Sequence, residues 1–129
     1  MKEYQRKHNN KYHLPREAYN ATVWIIRDYK RLKESAQAIL EESPPPPDGM
    51  PKGTGTAGMI EAKALKRDIY ITKIKAIEQA LETIPAEYRK GVWENITIYK
   101  RYPNDAAKNT YGNYKARFIF HVAINLKII

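Results

Sequence analysis

The sequence contains no cysteine, and this absence excludes several kinds of site. Without thiols the chain can form no disulfide, present no cysteine nucleophile and bind no zinc through sulfur. Long apolar runs are also missing, since no stretch approaches the roughly 18 residues that a membrane-spanning helix needs. No apolar signal-peptide region follows Met1. From these absences we expect a soluble, cytoplasmic protein with no membrane partner.

Sequence motifs of common catalytic sites are absent as well. The histidines, His8, His13 and His121, do not have the spacing of metal ligands, and neither a P-loop nor a serine-nucleophile motif occurs. The acidic residues are scattered beside lysines and arginines. The one adjacent pair, Glu41 and Glu42, cannot converge on a substrate from neighbouring positions of a helix. We therefore expect no enzymatic activity, no metal and no cofactor.

Residues 43–58, with the sequence SPPPPDGMPKGTGTAG, interrupt the chain. Four consecutive prolines favour an extended segment, and the glycines that follow favour flexibility. Gly53, Gly55 and Gly58 match the spacing of a dinucleotide-binding loop. That motif requires a preceding strand, which polyproline cannot supply, so we assign no nucleotide site. The stretch is predicted to be a linker that reverses the chain between two helices.

Apolar residues at helical spacing occur on both sides of this linker. One set repeats every seven residues, and a second set follows four positions later, over Ala18, Thr22, Ile25, Tyr29, Leu32, Ala36 and Ile39. This seam, 18–39, must pack on another helix of the chain or on a second copy, so a homodimer is one alternative. Periodicity predicts four helices, near 15–41, 59–83, 85–98 and 110–127. A strand-like local propensity competes around 69–77.

The predicted fold is therefore all-α. Residues 1–13 form a flexible basic arm, and 14–129 form a single helical domain. In it, two long antiparallel helices are joined by the Pro/Gly-rich loop and followed by a C-terminal helix-turn-helix-like pair within 84–129. The predicted core consists of bulky residues at the centres of the periodic stripes: Trp24, Ile25, Leu32, Ile74, Leu81, Val92, Trp93, Phe118 and Val122.

Positive charge dominates the chain. The 23 Lys and Arg residues exceed the 14 Asp and Glu residues, which gives a formal net charge of +9. The excess is concentrated after residue 50, where basic side chains outnumber acidic ones by two to one. Such a bias favours a polyanionic partner, most often a nucleic acid, although a basic surface can also serve solubility alone.

The predicted last helix carries amides and cations in its first two turns. Asn109, Asn113, Lys115 and Arg117 precede an apolar face that can anchor the helix, which is the pattern needed to read a major groove. In the alternative interpretation, Arg117 pairs with Glu94 or Glu87 and only fastens two helices together.

Three stretches resemble phage-encoded transcriptional activators of the RinA and ArpU type. They are the Pro/Gly-rich loop, the helix end ALETIPAEYRKGVWENI, and the C-terminal NTYGNYKARFIFHVAINL. The resemblance implies a similarity to region 4 of bacterial sigma factors, with 110–117 starting a recognition helix and Lys100 and Arg101 approaching phosphates. The DNA-binding set predicted in this way comprises Lys100, Arg101, Lys108, Asn109, Thr110, Asn113, Lys115 and Arg117. The resemblance also implies a bacterial host cytoplasm and makes RNA polymerase a candidate partner. The chain departs from the pattern at 102–108, where the positioning helix is shortened or missing.

A second hypothesis remains open. The seam 18–39 and the tyrosine-rich face could instead make the chain a helical protein–protein interaction module, or a phage assembly or packaging module, without DNA sequence specificity. The distribution of basic residues in 85–129 distinguishes the two hypotheses. A single exposed stripe favours DNA, and dispersal among acidic neighbours favours the interaction module.

Overall fold

A computed structural model describes residues 11–42 and 54–129. These residues form five helices: α1 (Arg16–Arg27), α2 (Tyr29–Glu42), α3 (Thr54–Leu81), α4 (Ala86–Ile98) and α5 (Lys108–Asn125). The described part contains no strand, so the all-α prediction is confirmed. Residues 69–77, where a strand-like propensity competes, lie inside α3. None of the described helices has the length and apolarity needed to cross a membrane.

The first predicted long helix is two helices, which meet at Asp28. The backbone N–H of Asp28 is shared between the carbonyls of Trp24, at 3.2 Å, and Ile25, at 3.1 Å. Its φ of −85° and ψ of 0° depart from helical values. The Asp28 carboxylate accepts hydrogen bonds from Arg31 in the next turn. A locally tightened turn therefore divides the predicted 15–41 helix.

The second long helix begins earlier than predicted. α3 starts at Thr54, so the last part of the predicted linker 43–58 is helical, including Gly55 and Gly58. Once Pro51 is passed, no proline prevents helix formation, and glycine lowers helix propensity without forbidding it. Residues 43–53 lie outside the described part. α2 packs on α3, and their antiparallel direction stays a prediction.

α5 occupies the centre of the packing. It contacts α1, α3 and α4, and it contributes Tyr111, Phe118 and Val122 to the core, each with 0% of its surface exposed. Of the predicted core, Leu32, Ile74, Val92, Phe118 and Val122 are buried, and Ile25, Leu81 and Trp93 are partly buried. The last helix is therefore the element through which most of the others pack.

One predicted core residue is wrong. Trp24 is 64% exposed, because α1 buries Tyr19, Val23 and Ile26 instead. Each residue turns a helix by about 100°, so the two steps from Trp24 to the buried Ile26 place their side chains on nearly opposite sides of α1. Of the seam, Thr22, Leu32 and Ala36 are buried within the chain. A homodimer through the seam stays a prediction, and these three side chains already have partners inside the molecule.

Candidate nucleic-acid interface

Residues 99–107 connect α4 to α5 without a helix of their own. α4 ends where Tyr99 adopts a left-handed conformation, with φ of 58° and ψ of 26°. A helix-turn-helix joins its two helices by a turn of about 3–4 residues. The connection here is longer than such a turn. It also contains no short helix that could serve as the positioning helix directly before α5. The C-terminal pair is thus two packed helices joined by an ordered loop.

A cluster of tyrosines holds this loop against the helices. Tyr102 of the loop stacks on Tyr111 of α5, with ring centroids 5.1 Å apart. Tyr88 of α4 meets Tyr111 edge to face at 5.3 Å and stacks on Tyr114 at 4.9 Å. The Tyr111 hydroxyl donates a hydrogen bond of 2.5 Å to Oδ1 of Asp105 in the loop. Sequence reasoning did not find this cluster, because its members come from three separate segments.

Gly91 makes the close approach of α4 to this cluster feasible. A Cβ atom at this position would lie 2.6 Å from Cε1 of Tyr111 and 2.9 Å from Cδ of Pro103. Both distances are shorter than carbon atoms tolerate. The absence of a side chain at residue 91 therefore lets α4, the loop and the start of α5 pack together.

The Tyr111 hydroxyl should make stability depend on alkaline pH. The hydrogen bond to Asp105, together with burial, raises the pKa of Tyr111 from its ordinary value of 10.0 to about 12. A raised pKa in the folded state stabilises the fold below pH 10, and this contribution is lost as the pH rises towards 12. We expect Tyr111→Phe to flatten the decline of the unfolding free energy over this range. An unchanged decline in chemical denaturation at several pH values would contradict this.

The loop presents two of the predicted phosphate-binding cations at the surface. Lys100 and Arg101 are both exposed. The Lys100 ammonium lies 3.5 Å from Oε2 of Glu94, in a surface ion pair that contributes little to the stability of the fold. The carbonyl of Lys100 accepts a 3.0 Å hydrogen bond from the side-chain amide of Asn95. The backbone that carries these cations is thus fixed to α4.

On α5, the predicted residues divide between two faces. Asn109, Asn113 and Arg117 are spaced four apart and lie along one ridge, with Asn109 and Asn113 exposed. Lys115 lies on the opposite side, where its ammonium donates a 2.9 Å hydrogen bond to Oδ1 of Asn95 on α4. Thr110 is partly buried. Lys108 begins α5, and its side chain is outside the described part.

Arg117 is not fully exposed, as a base-contacting residue would be, and it does not form the ion pair between helices that the alternative interpretation expects. It is partly buried, and its Nε has no hydrogen-bond partner. No ion pair joins it to Glu94 or Glu87, both of which the structure describes. Burial lowers the pKa of His121, one turn further on, and the positive charge of Arg117 lowers it as well.

The segment before α1 covers the outer face of α5 near its end. Tyr12 contacts Phe120 and His121, with ring centroids 5.4 and 6.0 Å apart. Residues 1–10 of the predicted arm lie outside the described part, and the arm residues 11–13 lead into the buried Leu14. The exposed part of the predicted interface is therefore the start of α5 and the loop before it.

Sequence reasoning also missed a surface cluster of aromatic rings and a cation. The guanidinium carbon of Arg27 lies 5.6 Å from the ring centroid of Trp24 and 4.6 Å from that of Tyr99. Trp24 is 64% exposed and Tyr99 is 47% exposed. The only sequence signal is the three-residue spacing of Trp24 and Arg27 on one helix, which says nothing of Tyr99.

A cavity of about 290 Å³ opens between α2, α3 and α4. Its walls are mainly apolar, with charged residues among them: Tyr29, Ile77, Glu78, Leu81, Arg89, Lys90 and Trp93. Burial and Glu78, which accepts a 2.5 Å hydrogen bond from the Tyr29 hydroxyl, raise the pKa of Tyr29 to about 12. Over residues 11–42 and 54–129, no group of acidic or histidine side chains could hold a metal ion.

Comparisons with known proteins add no relative. No protein-family model, no curated protein and no solved structure matches this chain.

Proposed function

We propose that the protein is a DNA-binding regulator of a phage or prophage, of the RinA and ArpU type, that acts in the bacterial cytoplasm. The observation that supports this best is the exposure of cations and amides in the loop before α5 and in its first two turns. Lys100 and Arg101 of the loop and Asn109 and Asn113 of α5 are all exposed, in a chain with a net charge of +9. Cations supply affinity for phosphates, and amides can distinguish bases. RNA polymerase is the protein partner that such a regulator would contact.

The start of α5 is electrostatically suited to a DNA backbone. Its first turn has no acidic residue, and the residue before it, Ala107, offers no side chain to cap the backbone N–H groups. The positive end of the helix dipole and these N–H groups attract a phosphate. Lys100 and Arg101 in the loop add two positive charges to the same end of the helix pair.

The proposed DNA contact includes fewer residues than the sequence alone predicts. Lys115 faces α4, and Arg117 is partly buried. The surface thus combines phosphate contacts from the loop with at most a short ridge, Asn109 and Asn113, for reading bases. Such an interface favours affinity from phosphate neutralisation, with specificity from few contacts.

A salt series tests the phosphate contacts. Lys100→Ala and Arg101→Ala should each weaken binding to all DNA about equally, and each should flatten the slope of log affinity against log salt by about one unit. Lys66→Ala, which removes an exposed lysine of α3, is the matched control and should leave the slope unchanged. Fluorescence anisotropy with upstream phage DNA and random DNA measures both quantities.

The base contacts require a different comparison. Asn113→Ala should lower the ratio of specific to nonspecific affinity by about 1–3 kcal/mol if the amide reads a base. Arg117→Ala should lower the same ratio if its guanidinium reaches the groove, and should otherwise change only the melting temperature. If all these variants bind DNA like the parent, the DNA-binding proposal must be abandoned.

The helical interaction or phage assembly module is the second candidate. Exposed apolar side chains of α3 favour it, because Met59, Leu65 and Ile69 are each more than half exposed. Exposed apolar surface is typical of protein contacts. Self-association of the purified chain that Leu65→Glu abolishes, together with unchanged DNA binding in all the variants above, would establish this module instead.

A further inference from the structure

Trp24, Arg27 and Tyr99 form what we call the aromatic platform. Tryptophan is usually well buried in folded proteins, yet Trp24 exposes 64% of its surface and Tyr99 exposes 47%. Both rings lie within cation–π distance of the same guanidinium, which belongs to Arg27. Neither ring contributes to the buried core. The platform is therefore a surface feature that core packing does not explain.

The platform is held in place from below. The Nε of Arg27 donates a 2.9 Å hydrogen bond to the carbonyl of Ile96, which connects α1 to α4. Tyr99 has a left-handed backbone conformation, and the N–H of the next residue, Lys100, donates a 3.2 Å hydrogen bond to the carbonyl of Glu94. Arg27 and the backbone at Tyr99 are therefore held by hydrogen bonds and backbone geometry, which lowers the entropy cost of binding a ligand on the platform.

The charges around the platform select the class of ligand. Lys100 and Arg101 follow Tyr99 directly and are exposed. The acidic residue next to Arg27, Asp28, is already paired with Arg31. Exposed rings beside a row of cations suit a strand that carries flat rings on a phosphate backbone. A duplex keeps the faces of its bases stacked inside, so only unpaired bases can use the rings.

We propose that the aromatic platform binds single-stranded DNA by stacking unpaired bases on Trp24 and Tyr99. Lys100 and Arg101 neutralise the phosphates of the same strand. The activity goes beyond the proposed regulator. Its stacking rings, Trp24 and Tyr99, are not required for duplex binding at α5, whereas Lys100 and Arg101 serve both activities. It gives the chain a means to hold an opened strand next to a duplex contact.

Intrinsic fluorescence gives a direct test, because the chain contains two tryptophans. In Trp93→Phe, Trp24 is the only tryptophan, and titration with single-stranded oligothymidylate should quench its emission. Trp24→Ala should lower the affinity for the oligonucleotide roughly 5- to 100-fold at every salt concentration. The salt slope should stay constant, because no cation is removed. Anisotropy of a labelled oligonucleotide supplies the same affinities without the Trp93 substitution.

Controls separate stacking from charge and from folding. Trp24→Phe keeps a ring and should retain most of the affinity. Tyr99→Gly removes a ring at a left-handed position that glycine accepts, and it should lower single-strand affinity as Trp24→Ala does. Leu65→Ala, which trims an equally exposed apolar residue at 65%, should have no effect. Duplex affinity should be unchanged in all of these variants.

Three outcomes would overturn the proposal. The first is no quenching of Trp24, with parental single-strand affinity in Trp24→Ala. The second is an equal loss of single-strand and duplex affinity in Trp24→Ala and Tyr99→Gly. The third is a change of oligomeric state in these variants without a change in DNA affinity, which would assign the platform to a protein contact. Failure of the regulator proposal appears separately, in the duplex salt series with Lys100→Ala and Arg101→Ala.

Discussion

Replacing Phe118 by alanine is expected to lower the free energy of unfolding by about 3–5 kcal/mol. Phe118 has 0% of its surface exposed and meets the ring of Trp93 edge to face, with centroids 6.3 Å apart. Loss of the Phe118 ring leaves a cavity between α5 and the helices α1, α3 and α4 that pack against it. A domain with an unfolding free energy of about 5–15 kcal/mol would lose much of its margin.

The chain offers a matched control two residues away. Phe120 is partly buried and contacts Tyr12 and His121 rather than the centre of the core. Phe120→Ala should therefore cost clearly less than Phe118→Ala. Urea denaturation followed by circular dichroism measures both variants. Equal losses in the two variants would show that the centre of the core does not lie at Phe118.

Gly91→Ala should destabilise the fold by about 1–3 kcal/mol, although alanine is the better helix former. The added methyl group would meet Tyr111 and Pro103 at less than 3.0 Å. Tyr111 cannot turn away easily, because it is stacked on Tyr102 and hydrogen-bonded to Asp105. The relief of the clash must therefore move α4, the loop or the start of α5.

Gly58→Ala is the opposite case and the control. Gly58 lies within α3, and a Cβ atom there has no heavy atom within 4 Å. Alanine should stabilise this helix by about 0.5–1 kcal/mol. In thermal denaturation, the melting temperature should fall in Gly91→Ala and rise in Gly58→Ala. A stabilised Gly91→Ala variant would show that the tyrosine cluster is loosely packed.

The sequence predicted the helices well wherever a single periodic apolar stripe is buried. The 85–98 and 110–127 helices were predicted to within a few residues, because a buried apolar stripe dominates each of them. The break at Asp28 could not be predicted in this way, because apolar spacing continues through it. Trp24 was misplaced for a related reason. Its bulk suggested burial, and only the packed structure shows that its neighbours Val23 and Ile26 face the core.

The candidate interface was less predictable than the fold. Proximity in sequence grouped Lys115 with Arg117, but two residues on a helix separate side chains by about 200°. Asn95 lies 20 positions before Lys115, and no local sequence pattern predicts their contact. The aromatic platform joins α1 to the end of α4 through one arginine. Contacts over such separations depend on the packing of whole helices, which a single sequence does not specify.

The central position of α5 has a consequence for how the chain folds. The helix that joins α1, α3 and α4 follows all of them in the sequence, and Tyr12 meets Phe120 only across more than a hundred residues. Closing such long loops is entropically expensive and slows folding, even in a helical protein. Until α5 has been synthesised, α1, α3 and α4 cannot cover the apolar faces that it buries. Until then, the nascent chain exposes those faces to chaperones and aggregation.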